Sequence, residues 1–187
     1  MSMVKNIKDT IANFYLKLEL KDIVKVKKPI KFSFAKVGTI GVLFDATTSE
    51  DLELVKRYIA YLKENRKKVK VIGYFNVRDI PQLTYSKLEF DFFSTKELNW
   101  FGKPTPAHVN NFMEEEFDLL IDFNIADHFP LKYIAALSKA NFKVGKFNEA
   151  DKETYDLMID TDAGQTLKYF MQQIDIYMAM LNKNDDK

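Results

Sequence analysis

The chain has 187 residues, with 28 Lys+Arg set against 27 Asp+Glu for a formal charge of +1, and 47% of its residues are apolar. That balance argues against a protein that coats nucleic acid or anionic membrane by bulk charge. The absence of cysteine excludes thiolate nucleophiles, cysteine–zinc sites, iron–sulfur ligation and disulfides together. A chain of this length buries about 70% of its unfolded surface in one core, so a single α/β domain over residues 1–187 is the expectation. Within it, residues 1–36 form an N-terminal helix and basic connector, 37–160 a strand–helix core, and 161–187 a C-terminal helix.

The first twenty residues carry Lys5, Lys8, Asp9, Lys17 and Glu19 among apolar positions, which interrupts any secretory h-region. The longest near-apolar run, residues 37–44, is far shorter than the roughly 18 residues that span a bilayer. A cytoplasmic protein without membrane contact is therefore expected.

Val4, Ile7, Ile11, Phe14 and Leu18 recur at helical spacing and predict an amphipathic helix from residue 3 to about 23. Lys25, Lys27, Lys28, Lys31 and Lys36, broken at Pro29, then read as a connector or edge strand. Residues 37–44 (VGTIGVLF) form a continuous apolar strand of the kind buried on both faces of a parallel sheet. Thr47 and Thr48 offer helix caps, with Glu50 as the capping-box partner of Thr47. The helix that follows turns Leu52, Val55, Ile59 and Leu62 to one side. Residues 69–75 (VKVIGYF) are the second strand, and residues 76–104 are loop except for a short strand at 90–93.

Thr105 as N-cap with Pro106 at the first helical position predicts the next helix. Residues 117–123 (FDLLIDF) are another strand, and Asp127 caps a helix carrying Leu131, Ile134 and Ala135. Residues 142–147 and 155–159 are two further strands. Asp162 and Gln165 form a capping box for a last helix over about 163–182. The segments FDLLID at 117–122 and YDLMID at 155–160 echo each other, as two strands in similar surroundings would.

Alternating strands and helices imply a Rossmann-like, doubly wound and mostly parallel sheet of about five to six strands with helices on both faces. With strand order 3-2-1-4-5-6, the crevice opens where strands 1 and 4 end. Its candidate residues are Asp45, Thr47 and Thr48 after the first strand, and Asp122, Asn124, Asp127 and His128 after the fourth. The first turn holds no glycine, and no phosphate-loop pattern occurs anywhere. All three arginines, Arg57, Arg66 and Arg78, fall outside the crevice. A bare phosphate has no evident cradle there, and no cofactor and no resident metal are expected. His128, beside Asp127 at the mouth of strand 4, is the better acid–base candidate of the two histidines.

Two surfaces look built for contact. The last helix carries one stripe of Leu167, Phe170, Met171, Ile174, Tyr177, Met178 and Leu181, and a second line of Tyr169, Ile176 and Met180. The first stripe packs on the sheet, with the N-terminal helix expected over the second unless a partner covers it. The loop LNWFGKP at 98–104 sets Trp100 beside Phe101, residue types that anchor interfaces.

The stretch FDLLID at 117–122 through LKYIAALS at 131–138 to FKVG at 142–145, with LNWFGKP, resembles an uncharacterised family of small bacterial proteins. That resemblance implies a fold and no activity. The same stretch is more distantly similar to the acceptor-side domain of heptosyltransferase-type glycosyltransferases. Those enzymes draw their nucleotide-sugar contacts mainly from a second domain, so the similarity carries no catalytic residue to this chain.

The leading expectation is a non-catalytic interaction or assembly module, meeting a protein partner or a second copy through the terminal helices and the Trp100 loop. The alternative is a metal-assisted glycosyl- or phosphoryl-transfer enzyme, with a site at Asp45, Asp122 and Asp127, acting on a nucleotide-linked or phosphorylated small molecule. Nucleic-acid binding rests only on local lysine clusters, which solvated helix faces explain better.

Overall fold

The computed structural model describes residues 2–21, 32–81, 90–161 and 164–183. Six strands, β1 (Thr39–Asp45), β2 (Lys68–Phe75), β3 (Phe90–Ser94), β4 (Leu119–Asp122), β5 (Phe142–Lys146) and β6 (Leu157–Ile159), form one sheet in the order β3-β2-β1-β4-β5-β6. Every neighbouring pair is parallel. The continuous apolar runs become the buried central strands because a parallel sheet is covered on both faces. This is the doubly wound order on which the placing of the candidate crevice depended, with its reversal between β1 and β4.

Five α-helices supply the cover: α1 (Ser2–Lys21), α2 (Ser49–Glu64), α3 (Ala107–Glu114), α4 (Phe129–Leu137) and α5 (Leu167–Lys183). On one face α2 and α5 pack Val55, Ile59, Phe170, Met171, Ile174 and Met178 against Val42, Phe44 and Ile121. On the other, Leu16 of α1, Val109 and Phe112 of α3 and Leu131 and Ile134 of α4 meet Leu43 and Leu120. The N-terminal helix therefore lies across the sheet from α5 and does not cover it. Its buried Ala12 and Leu16 face the α3–α4 side, and Glu19 accepts hydrogen bonds from Tyr133 of α4 and from Lys103 at 2.9 Å.

Helix starts differ from the expected caps by one residue at α3 and α4 and by more at α5. Thr48, not Thr47, caps α2, accepting from the Asp51 N–H, because Thr47 is turned toward Asp45. Pro106 precedes α3 in extended conformation, while Thr105 bonds back to the Glu97 carbonyl at 2.9 Å. His128 occupies the N-cap position of α4, and Asp127 sits just before it with φ 56°. The last helix starts at Leu167, later than expected, with Thr166 Oγ1 accepting from the Tyr169 N–H. The Asp162 partner of the expected capping box, and Lys25, Lys27, Lys28 and Lys31 of the basic connector, lie outside the described residues. From residue 32 onward the connector forms a 3-10 turn at Phe34–Lys36 instead of an edge strand.

The echo between FDLLID and YDLMID is a shared strand-joining device. Asp118 accepts the backbone N–H groups of Gly38 and Thr39 at 2.8 and 2.9 Å, tying the entry of β4 to β1. Asp156 accepts the Lys143 N–H at 2.8 Å and ties β6 to β5 in the same way. The aromatic ring before each aspartate covers a glycine of the neighbouring strand, Phe117 over Gly41 and Tyr155 over Gly145. A Cβ on Gly145 would stand 2.5 Å from the Tyr155 ring, inside any permitted contact. Gly145→Ala should therefore force the Tyr155 ring off β5 and destabilise the fold by about 1–3 kcal/mol, the usual range for overpacking. Urea unfolding measures this, and a variant as stable as wild type would contradict the close packing.

Candidate functional site

Parallel pairing sets Leu43 of β1 beside Asp122 of β4. Side chains alternate along a strand, so Asp45 and Asp122 both project on the α4 side at the carboxyl edge of the sheet. This is the point at which the crossovers reverse, where ligands bind in doubly wound sheets.

Asp45 is held from three directions. Its Oδ1 accepts the Thr47 N–H at 2.9 Å and the Thr47 hydroxyl, and its Oδ2 lies 2.9 Å from His128 Nε2. Thr47 Oγ1 in turn accepts the Asn76 N–H at 2.9 Å, joining the ends of β1 and β2. The Tyr74 ring packs edge-on against the His128 imidazole, with centroids 5.4 Å apart. Burial raises the Asp45 carboxyl, but the hydrogen bonds from His128 and Thr47 outweigh it and hold the group below its ordinary value. Burial, with the Asp45 charge added, pushes the Tyr74 hydroxyl up to about 12.

Asn124 connects this pair to the second carboxylate. Its side-chain oxygen accepts the His128 N–H at 2.8 Å, and its amide nitrogen donates to the His128 carbonyl at 3.0 Å. Its own backbone N–H donates to Asp122 Oδ1 at 3.0 Å. The other oxygen of Asp122 accepts the Tyr155 hydroxyl at 2.6 Å. Asp122 is only 2% exposed, and burial lifts its carboxyl to about 6 despite these two bonds. Burial together with the Asp122 charge drives the Tyr155 hydroxyl well above its ordinary value. Asp127 and the buried Asp151 share Lys132, at 3.3 and 2.9 Å.

Of the expected crevice residues, Asp45, Thr47, Asn124, His128 and Asp122 thus form one hydrogen-bonded chain. Asp127 adjoins it through its backbone N–H, which donates to the Asn124 carbonyl at 3.3 Å, and Thr48 is spent on capping α2. Tyr155, Lys132, Asp151, Tyr74 and Asn76 complete the network and were not singled out from the sequence. The echo of Phe117 by Tyr155 was the available signal, because only the tyrosine adds a hydroxyl to the shared position. The three carboxylates of the metal-assisted alternative, Asp45, Asp122 and Asp127, each have protein groups within bonding distance of both oxygens. Among the described residues no group of three or more His, Asp or Glu side chains is arranged to hold a metal ion.

The second candidate is an exposed aromatic run. Phe14 meets Tyr15 edge-on at 6.0 Å, Tyr15 stacks on Phe101 at 4.9 Å, and Phe101 meets Trp100 edge-on at 5.2 Å. Trp100 and Phe14 are 61% and 59% exposed, and Tyr15 and Leu18 are exposed beside them. The Trp100 loop is fixed in place, since Asn99 Oδ1 accepts the Phe101 and Lys103 N–H groups and Lys103 pairs with Glu19 of α1. Tyr169, Ile176 and Met180 are also exposed, on α5 across the sheet. The two terminal helices cannot contribute to one continuous surface. No helix among the described residues is long and apolar enough to cross a membrane.

The Asp122 geometry fixes the sign of a pH effect. Its folded-state value of about 6 lies above the ordinary 3.8. Its contribution to stability is therefore full below the lower figure and is lost as pH rises through the upper one. Asp45, held low, acts in the opposite sense, and its contribution is lost as pH falls. Asp122→Asn should remove the loss between about pH 4 and 7, on the order of 3 kcal/mol, and so gain on wild type as pH rises. Urea unfolding across that range checks this, and parallel pH profiles for the two proteins would contradict it.

We found no match among curated proteins or solved structures. Residues 8–181 match a family of unknown function, DUF6913. The match spans nearly the whole chain, from within α1 to within α5, and the chain belongs to that family.

Proposed function

We propose that this chain is a non-catalytic interaction module whose contact surface is the aromatic run of α1 and the Trp100 loop. The observation that carries this reading is the contrast between the two candidate sites. At the carboxyl edge nearly every polar group already has a partner in the protein, as in a structural network. On α1 and the Trp100 loop, aromatic side chains stand in solvent on a braced loop, and rigid aromatics of this kind anchor interfaces.

The surroundings of the run define the partner. Phe14 and Leu18, and likewise Lys17 and Lys21, stand four residues apart along the outer side of α1, and all four are exposed. Glu19, on the inner side, is occupied by Lys103 and Tyr133. An apolar stripe bearing two lysines fits a protein segment that offers apolar and acidic side chains together. A second copy of the chain would set lysine against lysine, which opposes self-association through this surface.

A second reading is favoured by one observation, the placing of Asp45 and Asp122 at the ends of neighbouring strands at the switch point. It makes the chain a metal-assisted glycosyl- or phosphoryl-transfer enzyme, and the distant similarity to heptosyltransferase-type acceptor domains belongs with it. That reading requires both carboxylates to exchange their present donors for a cation. A thermal shift produced by Mg²⁺ or Mn²⁺ with a sugar nucleotide, and abolished by Asp45→Asn, would support it over the interaction module.

The interaction reading predicts that tagged wild-type protein, recovered from its native cell, retains a discrete partner with an acidic, apolar binding segment. Phe14→Ser with Trp100→Ser should lose that partner with little change in thermal stability, since both side chains are mostly exposed. Asp45→Asn should retain it. Recovery of the same partner by the double variant, or of none by wild type, would contradict the reading. A homodimer in light scattering that the double variant abolishes would replace the acidic partner with a second copy.

A further inference from the structure

The carboxyl ends of β4 and β5 enclose a cavity of about 120 Å³ that the interaction surface does not use. Asp122 and Tyr155 line it, Asp127 and Asp151 form part of its wall, and Lys146, Phe147 and Asn148 close the β5 side. The wall aspartates are answered within the protein by Lys132. The remaining two charged groups are not. Asp122 takes its hydrogen bonds from a phenol and a backbone N–H, both neutral donors. The Lys146 ammonium donates to the Ile125 carbonyl at 3.1 Å, a neutral acceptor.

Among the described residues, neither Asp122 nor Lys146 has an ion-pair partner, and the two line one small cavity without reaching each other. A buried carboxyl with no cation is costly to keep ionised, and its upward shift to about 6 accords with that. An empty space bordered by one uncompensated acid and one uncompensated base is matched by a molecule carrying both opposite charges a few bonds apart. A simple anion would meet Asp122, and a simple cation would meet Lys146. The volume lies well below the roughly 300 Å³ at which ordinary drug-sized sites begin, so the occupant is small. Phe147 is 42% exposed and borders the cavity, where it leaves apolar contact for a short side chain.

We infer that this cavity binds a small zwitterionic α-amino acid, its ammonium group on Asp122 and its carboxylate on Lys146. The inference is independent of the aromatic run, so either can fail without the other. The test is a thermal-shift and calorimetric screen of the free amino acids, with acetate, methylammonium, glycerol and inorganic phosphate as single-feature probes. A small amino acid should raise Tm by a few degrees at about 100-fold excess over its Kd, and the single-feature probes should not. Lys146→Gln should weaken binding at least tenfold while leaving the unliganded Tm close to wild type. Asp122→Asn should weaken it similarly, with circular dichroism confirming that it is folded. No shift with any amino acid would overturn the inference. So would equal binding of glycerol or phosphate, or undiminished binding by Lys146→Gln.

Discussion

A sheet whose six strands all run parallel has to be covered on both faces, and this constraint organises the rest of the molecule. Apolar side chains fill both surfaces of β1 and β4, so the carboxylates of these strands gather where the strands end. Asp45 and Asp122 are such terminal residues, and the strand order brings them to the point where the crossovers reverse. Close approach of aromatic rings is the second expression of the same constraint. Gly41, Gly73 and Gly145 each lie against at least one ring, with no room for a Cβ. At Gly145 that approach also delivers the Tyr155 hydroxyl to Asp122. One glycine of β5 thus shapes the hydrogen bonding of a carboxyl on the neighbouring strand β4.

The short helix α4 belongs to both candidate sites. Lys132 answers the two aspartates of the cavity wall, while the adjacent Tyr133 holds Glu19 of α1 and carries Lys103 above its ring at 5.3 Å. The braced position of the aromatic run and the charge balance at the carboxyl edge therefore rest on neighbouring residues of one element. Burial and the hydrogen bond to Glu19 push the Tyr133 hydroxyl strongly upward, so it stays a donor throughout the ordinary pH range.

Much of this was legible in the amino-acid order. All six strands appear in runs such as VGTIGVLF and FDLLID, because burial on two faces leaves a continuous apolar signature that few other environments impose. The alternation of strands and helices announced the parallel sheet, but the strand order that sets its switch point is a tertiary property. Cap positions were less legible, because adjacent residues compete for the role. Thr47 and Thr48 have the same chemistry, and Asp45 decides between them by engaging the first. The side of the sheet taken by α1 was not legible at all. An amphipathic stripe says that a helix buries one side, and the choice of face came from Glu19 finding Tyr133 and Lys103 across more than eighty residues of sequence. The uncompensated Lys146 was hidden for a similar reason, since a partner's absence is a property of three-dimensional surroundings.

The account makes the aromatic run of α1 and the Trp100 loop the surface by which this chain meets another protein. Site-specific photo-crosslinking in the native cell tests that directly, with a photoreactive phenylalanine at position 100 in one protein and at position 176, on the outer side of α5, in another. The account predicts a discrete crosslinked protein with an acidic, apolar segment from position 100 and none from position 176. Crosslinking confined to position 176, or absent from position 100, would contradict it.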